Sequence, residues 1–342
     1  MAIIDADAHS IETDRTWEYL EEAERQYAPV GVASKGDDTG GSYWLIDGRV
    51  RSRLGNVGKM FPKEARELID VSARLRHMDE LGIDIQVIYP SILTQYTHRP
   101  EVEQAFCKSY NRWMADVWGQ SSNRLRWACI LPLMDIDKSI EELRFARDHG
   151  ACAIFARSFE GARQLIDPYF FPVYEEAGDL SVPICVHASL GNDTMEALLS
   201  QGRDQGNFLK FKLSVIGAFH QIVTNALPEQ FPKLRFGFVE TSSQWVPYVL
   251  HDLLRRFAWK GWTIGPQLMR DYRLYVACQT DDDLPYVLQY AGEDNLMCGT
   301  DYGHADTSTE MEALSTLRKR TDVEPRILAK ILDDNPRALY AL

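Results

Sequence analysis

Cysteine is sparse in this chain of 342 residues: Cys107, Cys129, Cys152, Cys185, Cys278 and Cys298 are scattered and form no CxxC pair. Most of them fall inside apolar runs, where cysteine behaves as a small buried hydrophobe. The pattern speaks for reduced core thiols and against a disulfide framework or a thiolate metal site. Positive charge is also in deficit. Against 37 Lys and Arg stand 50 Asp and Glu, a formal charge of −13, which argues against nucleic acid or an anionic membrane surface as a partner, since both demand a basic face. No run approaches the roughly 20 apolar residues of a membrane-spanning helix. The opening MAIIDADAHS lacks a basic region followed by an apolar one, so a soluble, cytoplasmic protein is expected. Glycine fingerprints for a dinucleotide or a P-loop are missing, and no nucleotide cofactor is expected.

What the chain does have is alternation. Short apolar runs recur at 2–8, 84–90, 126–133, 151–156, 182–187, 234–240, 272–278 and 296–300. Most are continuously hydrophobic rather than alternating, as parallel strands covered on both faces must be. Amphipathic stretches long enough for crossover helices lie between them, at 71–81, 101–120, 139–149, 245–257 and 283–291, with a last one at 325–342. Gly82 and Gly150 stand where the first and third should stop. Eight such repeats predict a (β/α)8 TIM barrel, with residues 1–342 as a single domain, over an open doubly wound sheet. Residues 31–62 form an insertion after the first strand, rich in turn signals. A hairpin is expected at 42–50, where Tyr43-Trp44-Leu45-Ile46 is followed by Asp47-Gly48. The insertion would sit over the barrel mouth as a lid or dimer contact. The long segment 188–233 reads as helical and also borders the mouth.

Polar residues punctuate the strand ends. Alternation along the first strand sends Asp5, Asp7 and His9 to one side. His187 closes the fifth strand, Glu240 the sixth and Asp301 the eighth. Barrel enzymes place their catalytic groups at these C-terminal ends. Imidazoles and carboxylates from several strands make a cage for a divalent ion such as zinc, manganese or iron. His304 can supply a further imidazole just past Asp301. Arg157, after the fourth strand, is a candidate for a substrate carboxylate or a structural ion pair. Tyr89, Tyr302 and His220 are further candidates for lining the pocket. Trp113, Trp118 and Trp127 read as core packing.

The segments Ile4-Asp5-Ala6-Asp7-Ala8-His9, Cys185-Val186-His187, Phe238-Val239-Glu240 leading to Trp245-Val246-Pro247-Tyr248, Gly299-Thr300-Asp301-Tyr302 and Asp334-Asn335-Pro336-Arg337 carry a resemblance over nearly the whole chain. Together they resemble the amidohydrolase-related family that includes aminocarboxymuconate-semialdehyde decarboxylase and γ-resorcylate decarboxylase. The resemblance implies one divalent metal, zinc first, held by Asp7, His9, His187 and Asp301; whether Asp5 or Glu240 also ligates is open. It implies a homodimer, and non-oxidative decarboxylation of a small aromatic or unsaturated carboxylic acid, with Asp301, Glu240, His304 and His187 as catalytic residues. Two positions depart from it: Asp7 stands where many relatives have histidine or glutamate, and Glu240 where the decarboxylases have histidine. The second keeps a metal-dependent hydrolase or hydratase as the alternative.

Overall fold

The computed structural model describes residues 1–33, 43–53, 56–91, 97–203, 207–259 and 268–342. The expected strands form one parallel sheet in chain order: β1 (Ile4–His9), β2 (Ile85–Tyr89), β3 (Leu125–Cys129), β4 (Ala151–Ala156), β5 (Ile184–Val186), β6 (Phe236–Phe238), β7 (Leu274–Cys278) and β8 (Leu296–Cys298). Nearly every strand residue is buried, which accounts for the unbroken apolar runs. The sheet closes on itself. Asp301 N–H donates to Asp7 C=O at 2.8 Å, and His9 N–H donates to Tyr302 C=O at 2.7 Å. Closure depends on glycine, because a Cβ at Gly299 would stand 2.4 Å from Asp7 Cβ. The Asp5 carboxylate reinforces the seam by accepting from Thr300 N–H at 2.9 Å and Thr300 O–H at 2.6 Å. These bonds rule out the open sheet.

Helices α1 (Val71–Leu81), α2 (Pro100–Gly119), α3 (Ile136–Asp148), α4 (Phe171–Asp179), α5 (Ser214–Thr224), α6 (Val246–Trp259) and α7 (Leu284–Ala291) lie between successive strands. Local chemistry sets their ends. Asp70 caps α1 by accepting from Ser72 N–H, and Gly82 ends it in the left-handed region at φ 69°. Asp135 caps α3 in the same way through Lys138 N–H. The chain finishes in a helical segment over Pro325–Tyr340, whose Tyr340 hydroxyl donates to Ala6 C=O at 2.7 Å. All six cysteines are free and buried, as expected.

One expectation fails inside β1. Asp5 pairs with Gln86 and His9 with Tyr89, but the register shifts between Asp5 and Ala8. Gln86 and Tyr89 are three residues apart and so face opposite sides of β2. The bulge therefore sends Asp7 and His9 inward while Asp5 lies with Gln86 on the helix side, where Gln86 N–H donates to Asp5 at 2.8 Å and Arg74 of α1 donates to Gln86 at 2.7 Å. Asp5 is a seam residue, not a ligand.

The insertion holds a three-stranded antiparallel sheet of Val30–Val32, Tyr43–Ile46 and Arg49–Ser52. Its hairpin turns at Asp47 and Gly48, both at positive φ (50° and 76°), as a type I′ turn requires. Residues 34–42 and 54–55 of the insertion, Ser42 of the expected hairpin among them, lie outside the described residues. Trp44 is buried edge-to-face on Trp17. Asp47 pairs with Arg99 at 2.6 Å, and Arg49 pairs with Asp193 beyond β5. The small sheet thus spans loops on two sides of the mouth.

Candidate metal centre

Strand ends bring four buried polar side chains to the mouth: Asp7 and His9 from β1, His187 after β5 and Asp301 after β8, none more than 3% exposed. His9 Nε2 is the hub. It lies 3.2 Å from His187 Nε2, 3.5 Å from Asp7 Oδ1 and 3.3 Å from Asp301 Oδ1, and His187 Nε2 lies 3.4 Å from Asp7 Oδ1. Asp301 and Glu240 both occupy the left-handed region, at φ 51° and 62°, a strained conformation that tends to collect at functional sites.

These distances test whether a metal fits. Donors about 2.1 Å from a tetrahedral ion stand roughly 3.4 Å apart, and the edges of the Asp7–His9–His187 triangle are 3.2, 3.4 and 3.5 Å. The Nε2 atoms of His9 and His187 face each other at 3.2 Å, so both imidazoles are aimed at one point. Asp7 Oδ1 is buried without a hydrogen-bond donor, a costly state that a cation relieves. The residues fit one divalent ion.

A second cluster adjoins the first. The donor atoms of Glu240, Asp301, His304 and Asp306 lie within 4.8 Å of one another. His304 stacks on His9 with ring centroids 3.7 Å apart, and its Nδ1 stands 2.8 Å from Asp301 Oδ1. Ser91 fixes the proton on the other nitrogen. Its hydroxyl donates its single proton to Ser10 C=O at 2.7 Å, so at 2.8 Å it accepts from His304 Nε2–H. His187 Nδ1 stands 3.1 Å from Glu240 Oε2, off the line of a hydrogen bond. Thr309 O–H donates to Asp301 Oδ2 at 2.6 Å.

Burial and neighbours separate these groups in acidity. Burial pushes His9 down to about 3, helped by the charge of His304, so His9 offers a free lone pair. Burial opposes ionisation of Asp7, yet His187 and His9 beside it hold its carboxyl well below the usual range. Asp301 is pushed up to about 6 by burial, against the pull of His304. Glu240 is pushed well above its ordinary value by burial and by Asp301. His304 is raised in spite of burial, because Asp301 favours its charged form.

The structure gathers Asp7, His9, His187, Asp301, Glu240 and His304 at the mouth, with Tyr89 packed against the imidazoles; Tyr302 and His220 it sends elsewhere. Tyr302 turns outward to α1: its hydroxyl bonds His77 at 2.7 Å and the Arg74 guanidinium lies 3.6 Å over its ring. His220 does not reach the mouth, because its Nε2 pairs with Asp252 on α6 at 3.1 Å. Tyr89 lies beneath the imidazoles as a floor, 5.2 Å from the His187 ring, with its hydroxyl donating to Tyr340 at 2.9 Å. Arg157 is held by Glu160, with Glu103 4.0 Å away, so the structural ion pair prevails. Sequence reasoning missed Ser91, Asp306 and Thr309. Ser91 had a signal, since it follows Pro90 directly beyond a strand end; Thr309 had none.

Comparison with known proteins agrees with this geometry. Residues 4–342 match the family described as amidohydrolase. The 2-amino-3-carboxymuconate-6-semialdehyde decarboxylase of Dictyostelium discoideum is 26% identical over 142 residues, 40% of this chain and 40% of that protein. Among solved structures, an amidohydrolase from Mycobacterium avium subsp. paratuberculosis superposes with a TM-score of 0.80 at 20% identity, covering 100% of this chain and 98% of its own. A 5-carboxyvanillate decarboxylase from Novosphingobium aromaticivorans with bound manganese gives 0.70 at 16%, covering 100% and 97%. The 4-oxalomesaconate hydratase of Rhodopseudomonas palustris gives 0.67 at 17%, covering 99% and 95%. At these identities the structural likeness establishes the barrel.

Proposed function

The chain belongs to the amidohydrolase family and is a metal-dependent enzyme; from that premise we propose a non-oxidative decarboxylase of a small aromatic or unsaturated carboxylic acid. The observation that carries the reading is the buried cage of Asp7, His9 and His187 directly beside the Asp301–His304 acid pair. Asp7, His9, His187 and Asp301 hold the ion, zinc in our reading, with manganese or iron able to take the same donors. When bound, such an ion supplies the positive charge that fixes a substrate carboxylate and its neighbouring oxygen.

The chain's own residues do the rest. His9, kept neutral by burial, and Asp7, kept ionised, maintain the cage across the neutral range. As the bond to the carboxylate breaks, its electron pair stays on the substrate carbon and takes up a proton. Asp301 delivers or relays that proton, with His304 Nδ1 2.8 Å away to assist. Glu240, 3.1 Å from His187 Nδ1, completes the acid cluster. Carbon dioxide leaves, and the substrate retains hydrogen in its place.

Metal-loaded enzyme assayed against hydroxybenzoates and muconate-like acids should release carbon dioxide from at least one of them. Turnover of esters or lactones with no carbon dioxide from any acid overturns the reading in favour of a hydrolase. A hydratase is the second reading, supported by the 4-oxalomesaconate hydratase among the neighbours. It uses the same cage, with Asp301 as general base toward water and His187 stabilising developing negative charge.

We further propose a cytoplasmic homodimer acting as one domain, with the insertion as its contact. No helix among the described residues is long and apolar enough to cross a membrane. Supporting the contact, Val30, Val32, Tyr43, Leu45 and Val50 share the outer face of the small sheet and are 37–61% exposed.

A further inference from the structure

Helix α1 buries Val71, Arg74 and Met78, whose spacings of three and four place them on one stripe facing the barrel. Two of the three are apolar. The third is a guanidinium with no exposed surface. Burial lowers Arg74 to about 10, which still leaves it charged at neutral pH. Among the described residues no carboxylate bonds it directly, and its Nη2 is buried without an acceptor. A buried charge so poorly compensated is a weak source of stability, since a well-packed apolar side chain of similar volume often does as well. What it holds is geometry.

Arg74 bonds three segments and stacks on a fourth. Its Nε donates to Gln86 Oε1 on β2 at 2.7 Å. Its Nη1 donates to His9 C=O at 3.1 Å and to Ala65 C=O, in the short helix Lys63–Arg66, at 3.3 Å. The guanidinium lies 3.6 Å over the Tyr302 ring, and Tyr302 C=O in turn accepts His9 N–H. The contacts close a loop from Arg74 to His9, from His9 to Tyr302, and back through the ring. Both main-chain groups of His9 are thereby taken, and Tyr302 is the immediate neighbour of Asp301. The His9 imidazole and the Asp301 carboxylate, 3.3 Å apart at the mouth, are braced against each other from behind.

Resting on the metal-centre reading, we propose that Arg74 is a positioning residue: it sets His9 against Asp301, and so the affinity and geometry of the ion site, without touching the ion. The role requires arginine. A lysine carries its charge as one point on a flexible stem, so it cannot bond Gln86 and His9 from a rigid fork while stacking on Tyr302.

Cobalt(II) is the probe, because its visible absorption reports ligand geometry as well as occupancy. Arg74→Met and Arg74→Lys should each weaken cobalt binding about 10–100-fold, the scale of lost support behind a metal ligand. Both should also shift the absorption band of the bound ion. Met78→Ala controls for a merely structural role. It empties the core one turn further along the same helix, and should lower the melting temperature while leaving cobalt affinity and band unchanged. Gln86→Leu frees Arg74 Nε with the guanidinium still in place, and should move affinity and band in the same direction, which keeps the test open if an Arg74 variant fails to fold. Unchanged affinity and band in every folded variant of Arg74 and Gln86, or an equal change in Met78→Ala, overturns the inference and leaves the ion site standing. A wild-type chain that takes up no cobalt removes the ion site and the inference with it.

Discussion

His187 is held from both sides: its Nε2 faces the cage and its Nδ1 lies 3.1 Å from Glu240. A hydrogen-bonded carboxylate behind a ligating imidazole typically adds about 10–100-fold to metal affinity, but Glu240 makes no such bond and burial favours its neutral form. Glu240→Gln should therefore weaken metal affinity by less than that, read by competition against a chromogenic chelator. Asp301→Asn should retain the barrel while cutting turnover by about 10²–10⁴, the usual scale for a lost general acid, checked by carbon dioxide release at matched metal content. Glu103 makes a pH prediction free of the metal. Its carboxyl rises from 4.5 to about 7 because burial penalises the charged form more than Arg157 favours it. The folded chain therefore keeps a proton that the unfolded chain releases. Stability from this group is complete below pH 4.5 and is lost as the pH climbs through about 7, on the order of 3 kcal/mol. Denaturant titrations of Glu103→Gln should lack that decline. At this scale the sequence was legible where chain position alone decided which side chains meet, as it did for His9, His187 and Asp301. It was not legible where side-chain direction decided. Tyr302 follows Asp301 immediately, yet points the opposite way, because neighbouring residues near a strand end face opposite sides.

The elements that seat these residues are short, and their irregularities matter most. The insertion hairpin was readable because Asp47-Gly48 suits a turn with two positive φ angles. The bulge in β1 was not, because nothing in Ile4-Asp5-Ala6-Asp7-Ala8-His9 marks where the register slips. It appears only when Gln86 and Tyr89 are seen to pair with Asp5 and His9. The end of the insertion also clamps the loop carrying His304. Gly58 N–H donates to Gly303 C=O at 2.7 Å, and a Cβ on Gly58 would stand 2.2 Å from the His304 carbonyl oxygen. Gly58→Ala should thus displace His304 and lower activity with little loss of metal, seen by elemental analysis alongside turnover. The exposed apolar face of the small sheet gives a separate test. Leu45→Lys should shift the proposed dimer toward monomer in light scattering, with little change in thermal stability, because Leu45 is 37% exposed.

Over the whole molecule, the barrel was the most legible feature, since eight buried strands alternating with helices leave few other ways to satisfy the backbone. The closed form was read correctly, but the bonds that make it were not legible, because they come from main-chain groups of residues already assigned to chemistry. Asp7 and Asp301 share one seam bond, and His9 shares another with Tyr302. Stripping the ion should lower the melting temperature, by about 4 kcal/mol of stabilisation where free metal had exceeded its dissociation constant a thousandfold, and scanning calorimetry with and without chelator would show it. Gly299→Ala should mimic part of that loss by forcing the seam apart. The wall of the cylinder and the grip on the cation are thus made of the same peptide units. Deuterium uptake at the amides of His9 and Asp301 accordingly becomes a gauge of ion occupancy, readable before any substrate has been identified.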